Sequence, residues 1–221
     1  DKISILSELA FGGKIIRNEI ETRGIDKINH KDISYANKLG FEIKLLAVSE
    51  KMCISNEDSL SLNAWVGPTL IHKNHPLASV EGVNNAILVE GDPIGEIMLY
   101  GPGAGSGPTA ASVVSDLLNL KAISFKNNMN DKLIIDPLLA FDFWRKCHLV
   151  PQDNVIKKNY LRIICKDSPG VIGKIGQTFG DNGVSIESIV QLDARENEAE
   201  IVVITHEVPN GNINSSKDQL N

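Results

Sequence analysis

The chain has 221 residues, of which 42% are hydrophobic and 23% are charged, and its formal net charge is −6 at pH 7. This balance is typical of a globular protein with one large or two small domains and a real core. A net negative charge disfavours nucleic acid and anionic membranes as partners, and no apolar run reaches the roughly 18 residues of a membrane span. We therefore expect a small-molecule partner, without nucleic acid or membrane.

The cysteines and histidines do not indicate a disulfide framework or a metal site. Cys53, Cys147 and Cys165 are odd in number and widely spaced, which is typical of reduced cysteines in a cytoplasmic protein. His72 and His75 lie three residues apart with no third ligand nearby. We predict no metal, and we expect His75, before a proline, to organise a loop.

The first hundred residues alternate between helix and strand patterns. Helical spacing of apolar residues predicts a helix over 2–11, and Asn29 with Asp32 forms a capping-box pattern for a second helix as far as Lys38. The apolar face of the first helix consists of Ile5, Leu6, Leu9 and Ala10. Strands are predicted at 41–48, 60–66, 85–90 and 95–100. The class is α+β, a mixed sheet covered by helices on one face.

A glycine-rich turn follows the last of these strands. Gly101, Gly103, Gly105 and Gly107 precede a helix predicted over 106–120, whose apolar face is Ala110, Val113, Val114, Leu117 and Leu118. A strand, a glycine turn and a helix start place free backbone N–H groups where an anion can bind. The spacing does not match the dinucleotide fingerprint, because Ser106 occupies the third glycine position. Direct contact with a cofactor and a purely structural turn with positive φ are both open.

The second half of the sequence begins with a polar, turn-rich stretch. We interpret 123–158 as a linker with a short docked piece at 138–144. A strand at 160–166, a helix beginning near Val171, and strands at 184–191 and 200–205 follow, which is the β-α-β-β front of a ferredoxin-like unit. The segment 209–216 is too polar to supply the missing helix and strand, so the unit is expected to be incomplete.

Several of these motifs together resemble homoserine dehydrogenase of the monofunctional bacterial type. The resemblance rests on the sequence at 1–6, at 75–86 and at 91–109, and the sequence at 167–171 and 182–186 resembles an ACT regulatory domain. It implies a catalytic and dimerisation domain over 1–122, a linker with a docked connection over 123–158, a partial ACT domain over 159–208 and a polar tail over 209–221. The family's nicotinamide-binding Rossmann domain is expected to be missing from this chain.

The resemblance also implies functions for particular residues. The family interconverts aspartate 4-semialdehyde and homoserine with NADP or NAD, and Lys2 matches its proton-transfer lysine. Gly101, Gly103 and Gly105 would lie against the cofactor. The sheet formed by 41–100 would pair with a second subunit, giving a homodimer or a higher homo-oligomer. Without the nucleotide-binding domain, the chain is expected to be inactive.

The ACT resemblance implies an effector site for threonine. Its residues would be Asp167, Gly170, Val171 and Asn182, because the start of the helix can receive an amino acid's carboxylate. Two plainer interpretations stay open: Pro169 and Asn182 only start and end that helix, and Lys2 is a solvated helix lysine. The alternative function is a non-catalytic module that binds an amino acid and dimerises.

Overall fold

The computed structural model describes residues 1–52, 60–129, 145–195 and 198–220. Cys53 and the docked piece expected at 138–144 lie outside the described residues. The chain divides into two compact units, Asp1–Leu70 with Trp144–Asn221, and Ile71–Phe143. The first unit therefore combines two pieces that are distant in sequence, a division that differs from the boundary expected at 122.

The described residues form the following elements. The helices are α1 (Lys2–Phe11), α2 (His30–Lys38), α3 (Ser106–Met129), α4 (Val171–Asp181) and α5 (Asn210–Leu220). The strands are β1 (Gly13–Lys14), β2 (Glu21–Thr22), β3 (Phe41–Met52), β4 (Leu60–His72), β5 (Asn84–Gly91), β6 (Gly95–Pro102), β7 (Arg145–Leu149), β8 (Ile156–Lys157), β9 (Tyr160–Lys166), β10 (Ile186–Arg195), β11 (Glu198–Thr205) and β12 (Val208–Pro209). This content confirms the α+β class.

A five-stranded sheet in the first unit has the order β1-β7-β4-β2, and β3 also pairs with β4. Strand β7 is parallel to both of its neighbours. It lies in the segment that was predicted to be a linker, and that prediction is wrong here. Cys147 and Leu149 of β7 pack against the sheet's core, but two apolar residues in a five-residue run give too short an alternation to predict a strand.

Helix α1 presents a different face to this core than the sequence predicted. Its buried residues are Ile3, Ser4 and Ser7, and the Ser7 hydroxyl donates to the Ile3 carbonyl oxygen at 2.6 Å. The predicted apolar face is instead exposed, with Ile5 at 57% and Leu9 at 47%. Gly12, in the left-handed region at φ 65°, ends the helix as expected.

The second unit contains the β5–β6 hairpin and α3. The hairpin pairs antiparallel from Asn84 opposite Pro102 to Gly91 opposite Gly95, which confirms the two predicted strands and their turn. Ile87 and Val89 lie opposite Leu99 and Ile97 on one face, and all four are exposed. The predicted apolar face of α3 is also exposed, at 53–62% for Val113, Val114, Leu117 and Leu118.

The C-terminal segment forms a three-stranded antiparallel sheet in the order β10-β11-β9, covered on one face by α4 and α5. The buried core consists of Leu161, Ile175, Phe179, Val184, Ala199, Ile201, Val203, Val208 and Ile213. The tail that was expected to be too polar for a helix forms α5, and this prediction is wrong. One fully buried apolar residue, Ile213, anchors α5, and the Ser216 hydroxyl is satisfied by the Asn212 carbonyl at 2.9 Å.

Helix α2 contacts the other face of this sheet through its side chains. The register places Arg162 opposite Val202 and Tyr160 opposite Ile204, so these residues share a face with Glu200, away from α4. On that face the Tyr35 hydroxyl donates to Glu200 Oε2 at 2.6 Å, and Arg162 Nε donates to Asp32 Oδ1 at 2.7 Å. The sheet is therefore held between helices from both pieces of the chain.

These contacts belong to a network of charged and tyrosine side chains around two buried carboxylates, which we call the α2–sheet network: Lys31, Asp32, Tyr35, Tyr160, Arg162 and Glu200. Lys31 pairs with Glu200, and the Tyr160 hydroxyl donates to Asp32 Oδ1 at 3.2 Å. Asp32 Oδ2 also accepts the Asn29 N–H at 3.1 Å, which completes the predicted capping box of α2. Hydrogen bonds from Lys31 and Tyr35 lower the pKa of Glu200, and burial beside Asp32 raises the pKa of Tyr160.

We expect Ile213→Ala to destabilise the chain by about 2–4 kcal/mol, because it removes a fully buried side chain and leaves a cavity. The matched control is Ile172→Ala in α4, where the side chain is 46% exposed and the loss is expected to be much smaller. Urea unfolding of both variants measures the difference. Equal losses would show that α5 does not contribute to the core.

We expect Glu200→Gln to destabilise the chain at pH 7 by about 1 kcal/mol or more, because it weakens charge-assisted hydrogen bonds in a buried site. The Glu200 pKa is lowered from its ordinary value of 4.5, so its stabilisation is present above pH 4.5 and is lost as the pH falls through the lowered value. The difference in unfolding free energy between wild type and variant should therefore decrease below pH 4.5. Urea unfolding at a series of pH values measures this difference. A gap that is constant with pH would contradict this assignment.

Candidate functional site

Lys2 is the first residue of α1, and its side chain is exposed. The neighbouring Asp1 carboxylate pairs with Arg17 rather than with Lys2. Ile5 and Leu9 follow Lys2 at helical spacing and are exposed on the same side of α1. Lys2 thus lies at one end of an exposed apolar stripe. A protein surface that packed on this stripe would also shield the Lys2 amine from water.

The three candidate glycines of the turn have three different local environments. Gly101, opposite Asn85 in the hairpin, has open space where a Cβ would lie, with no atom within 4 Å. A Cβ at Gly103 would lie 1.8 Å from Asn85 Nδ2, and the Gly103 N–H donates to the Val83 carbonyl at 3.0 Å. Gly105 has φ +121°, which favours glycine. Only Gly105 fits the positive-φ interpretation, and Gly101 leaves room for a ligand to approach the backbone.

A cavity of about 140 Å³ lies beside the start of α4. Its lining residues are Asp167, Ser168, Gly170, Val171, Ile172, Gly173, Gln191, Ala199 and Ile201. It brings together three of the four predicted effector residues. The Asp167 carboxylate can accept from an ammonium group, and the first turn of α4 offers N–H groups to a carboxylate, so the two ends of an amino acid both find partners here.

Asn182 is not brought to this cavity, because it lies at the other end of α4. Its Nδ2 donates to the Thr178 carbonyl at 2.8 Å and to Gln219 Oε1 at 2.9 Å, so it ends α4 and ties it to α5. Sequence reasoning missed Gln191 and Ala199, which come from neighbouring strands. Alternation along a strand indicates which residues share a face, but the local pattern does not show which strand lies over a helix start.

The histidines have local structural roles. His75 Nδ1 accepts the Leu77 N–H at 3.2 Å and starts the short 3-10 turn Pro76–Ser79, which confirms the loop role expected for it. His72 Nδ1 accepts the Asn74 N–H at 3.2 Å. Across the described ranges, no group of three His, Cys, Asp or Glu side chains is placed to hold a metal ion. No helix in the described part of the chain has the length and apolar character needed to cross a membrane.

Family comparisons cover most of the sequence. Residues 1–118 match the family model for homoserine dehydrogenase, and residues 159–221 match the model for the ACT domain. The ACT match includes α5, in agreement with its packing in the core.

Individual relatives match the chain from end to end. The homoserine dehydrogenase of Synechocystis sp. is 46% identical over 220 residues, covering 100% of this chain and 50% of its own length. That of Bacillus subtilis is 34% identical, covering 100% and 48%. The crystal structure of a homoserine dehydrogenase from Thiobacillus denitrificans superposes with a TM-score of 0.86 at 31% identity, covering 99% of this chain and 48% of that one. The chain therefore spans about half the length of the curated relatives it matches.

We expect Gly103→Ala to destabilise the hairpin by about 1–3 kcal/mol, because the added methyl group overlaps Asn85. Gly101→Ala, two residues away in open space, is the matched control and should be tolerated better. The double variant Gly103→Ala with Asn85→Gly should recover most of the loss by removing the overlapping side chain. Thermal unfolding of the four proteins checks this, and no recovery would mean that the two residues do not compete for space.

Proposed function

Because the chain belongs to the homoserine dehydrogenase family, we propose that it supplies the catalytic lysine and the regulatory domain of an enzyme that interconverts L-aspartate 4-semialdehyde and L-homoserine. This reaction belongs to threonine, methionine and isoleucine biosynthesis. The observation that carries the proposal is the match of the whole chain to homoserine dehydrogenases. Since the chain spans about half of their length, the complete activity is assigned to the longer enzyme.

Lys2 is the residue that we assign to proton transfer. Reduction of the aldehyde creates an alkoxide oxygen that needs a proton, and oxidation of the alcohol needs the reverse transfer. The Lys2 ammonium group, at the start of α1, can donate that proton from Nζ. The apolar stripe beside Lys2 supports this role, because a surface covering it would exclude water from around the amine.

The nicotinamide cofactor, when bound as NADPH or NADH, would supply the hydride for reduction of the aldehyde, and its oxidised form would accept the hydride in the reverse reaction. Within this chain, the glycine turn is the segment that we assign to its neighbourhood. Gly101 supports the assignment most directly, because its open side permits close backbone approach. At Gly103 the Asn85 side chain already leaves no room for a Cβ, so the glycine is explained without a cofactor and gives weaker support.

We assign the cavity beside α4 to an amino-acid effector, with L-threonine as the candidate. Asp167 offers the partner for its ammonium group, and the start of α4 at Gly170 offers partners for its carboxylate. Asn182 is left out of the proposed site, because its amide is used by Thr178 and Gln219.

A second copy of the chain is the partner that we propose for the hairpin. Ile87, Val89, Ile97 and Leu99 form an exposed apolar face on only two strands, and such a pair is marginally stable without further packing. The free cysteines Cys147 and Cys165 support a reducing, cytoplasmic location for the enzyme.

The decisive test uses a fusion of this chain behind the half of the Synechocystis homoserine dehydrogenase that it does not match. In this fusion we expect Lys2→Ala to lower kcat by roughly 100-fold or more, because a positioned proton donor is lost. NADPH affinity, followed by fluorescence, should be unchanged. Lys14→Ala, at another exposed lysine on β1, is the matched control and should retain activity.

Two outcomes would contradict the proposal. Unchanged turnover in the Lys2→Ala fusion would remove Lys2 from the reaction. A folded wild-type fusion that binds threonine but reduces no aspartate semialdehyde would favour the alternative, a non-catalytic amino-acid-binding module. The unfused 221-residue chain is expected to be inactive, and measurable activity there would show that the cofactor is held by this chain alone.

A further inference from the structure

Three basic side chains of the first unit, Arg23, Lys157 and Lys217, form a group that we call the basic cluster. Lys157 of β8 places its Nζ 5.4 Å from the centre of the Trp65 ring in β4. Glu21 of β2 lies opposite Trp65 in the parallel register, and its Oε1 lies 2.6 Å from Arg23 Nη2. The cluster thus brings the two pieces of the unit together, and it shares no residue with the cavity beside α4.

Lys217 belongs to the cluster through its position on α5. It follows the fully buried Ile213 by one helical turn, so the two residues share a helix face, and Lys217 is half-buried. Burial and the nearby charges of Arg23 and Lys157 lower the pKa of Lys217. Burial also lowers the pKa of Lys157, while the Glu21 carboxylate partly offsets this effect and Arg23 adds to it. The three cations therefore repel one another across partly buried surroundings.

The basic cluster carries more positive charge than the described residues around it neutralise. Glu21 Oε1 accepts from Nε of Arg23 at 2.7 Å and also pairs with Nη2, so this carboxylate is engaged by Arg23. Within the described ranges, neither Lys157 nor Lys217 forms an ion pair. Three cations and one carboxylate leave two positive charges. Because like charges repel, this excess destabilises the folded chain unless an anion neutralises it.

We propose that the basic cluster is a binding site for a dianionic phosphate group, either inorganic phosphate or the phosphate of a phosphomonoester. A dianion neutralises both excess charges, whereas a single carboxylate would leave one. Both ammonium groups and Arg23 Nη1, which Glu21 does not use, are donors for the phosphate oxygens. The Arg23 side chain is 58% exposed, so the group can enter from solvent. Once bound, it would join β2 to β8 and α5.

Isothermal titration calorimetry of the 221-residue chain with inorganic phosphate tests the site, at about pH 8, where phosphate is a dianion. Sodium chloride keeps the ionic strength constant, because any salt screens exposed charges. The wild type should bind one phosphate, and Lys217→Met, which removes a cation at similar side-chain length, should weaken binding by roughly tenfold. Glycerol 3-phosphate distinguishes the two sources: tighter binding than that of inorganic phosphate assigns the site to a phosphomonoester, and equal or weaker binding assigns it to inorganic phosphate.

Glu21→Gln tests the sign of the effect. It removes the opposing carboxylate and frees Arg23, so phosphate should bind roughly threefold more tightly or better. A loss of folding cannot produce this gain, so the variant decides the question even if Lys217→Met does not fold. Lys174→Met, at an exposed lysine of α4, is the matched control and should bind like the wild type. Absence of binding to the wild type, or equal affinities in the wild type and Glu21→Gln, would overturn the site. An effect that chloride reproduces would show an adventitious ion only and would overturn it too.

Discussion

Two buried carboxylates, Asp32 and Glu200, hold together the two pieces of chain that form the first unit. A buried carboxylate that loses its partners costs several kcal/mol, and in the assembled unit Asp32 is paired with Arg162 and Glu200 with Lys31, each partner coming from the other piece. Asp32 also caps α2, so the helix start and the docking contact use the same side chain. A local sequence motif and a long-range contact thereby stabilise each other.

The second link between the two pieces is made by backbone hydrogen bonds. Strand β7, which follows the second unit in sequence, inserts between β1 and β4, and the Val150 N–H then donates to the Leu62 carbonyl at 2.9 Å. The ACT segment that follows is thus tied to the sheet carried by α1 and β4. The backbone hydrogen bonds of β7 fix the position at which this segment begins, and the side-chain contacts of Asp32 and Glu200 fix how its sheet packs against α2.

The sequence predicted the elements whose signals are local. The capping box of α2, the hairpin turn and the start of α4 each depend on a few neighbouring residues, and all three are confirmed. Strand β7 and helix α5 are stabilised by packing against distant parts of the chain, through Cys147 and Ile213 respectively. This packing cannot be predicted from the sequence of a short or polar segment alone. The resemblance to homoserine dehydrogenase, which drew on motifs spread along the chain, is also confirmed.

The residues of the candidate effector site also include some with a local sequence signal and some without one. Asp167, Gly170 and Val171 were predicted together because they form one helix start, whereas Gln191 and Ala199 join them only through strand pairing. The roles of Lys2 and Gly101 stay predictions, since each presents an open surface.

Two apolar faces predicted from periodicity, on α1 and on α3, are exposed in this chain, and so is the apolar face of the hairpin. Helical or alternating apolar spacing indicates a face that is buried in the functional protein, whether the surface that buries it belongs to the same chain or to another. One such cover is the second copy proposed at the hairpin. Helix α3 begins directly after the glycine turn, so a surface that covers its apolar face also lies beside the segment to which the cofactor is assigned.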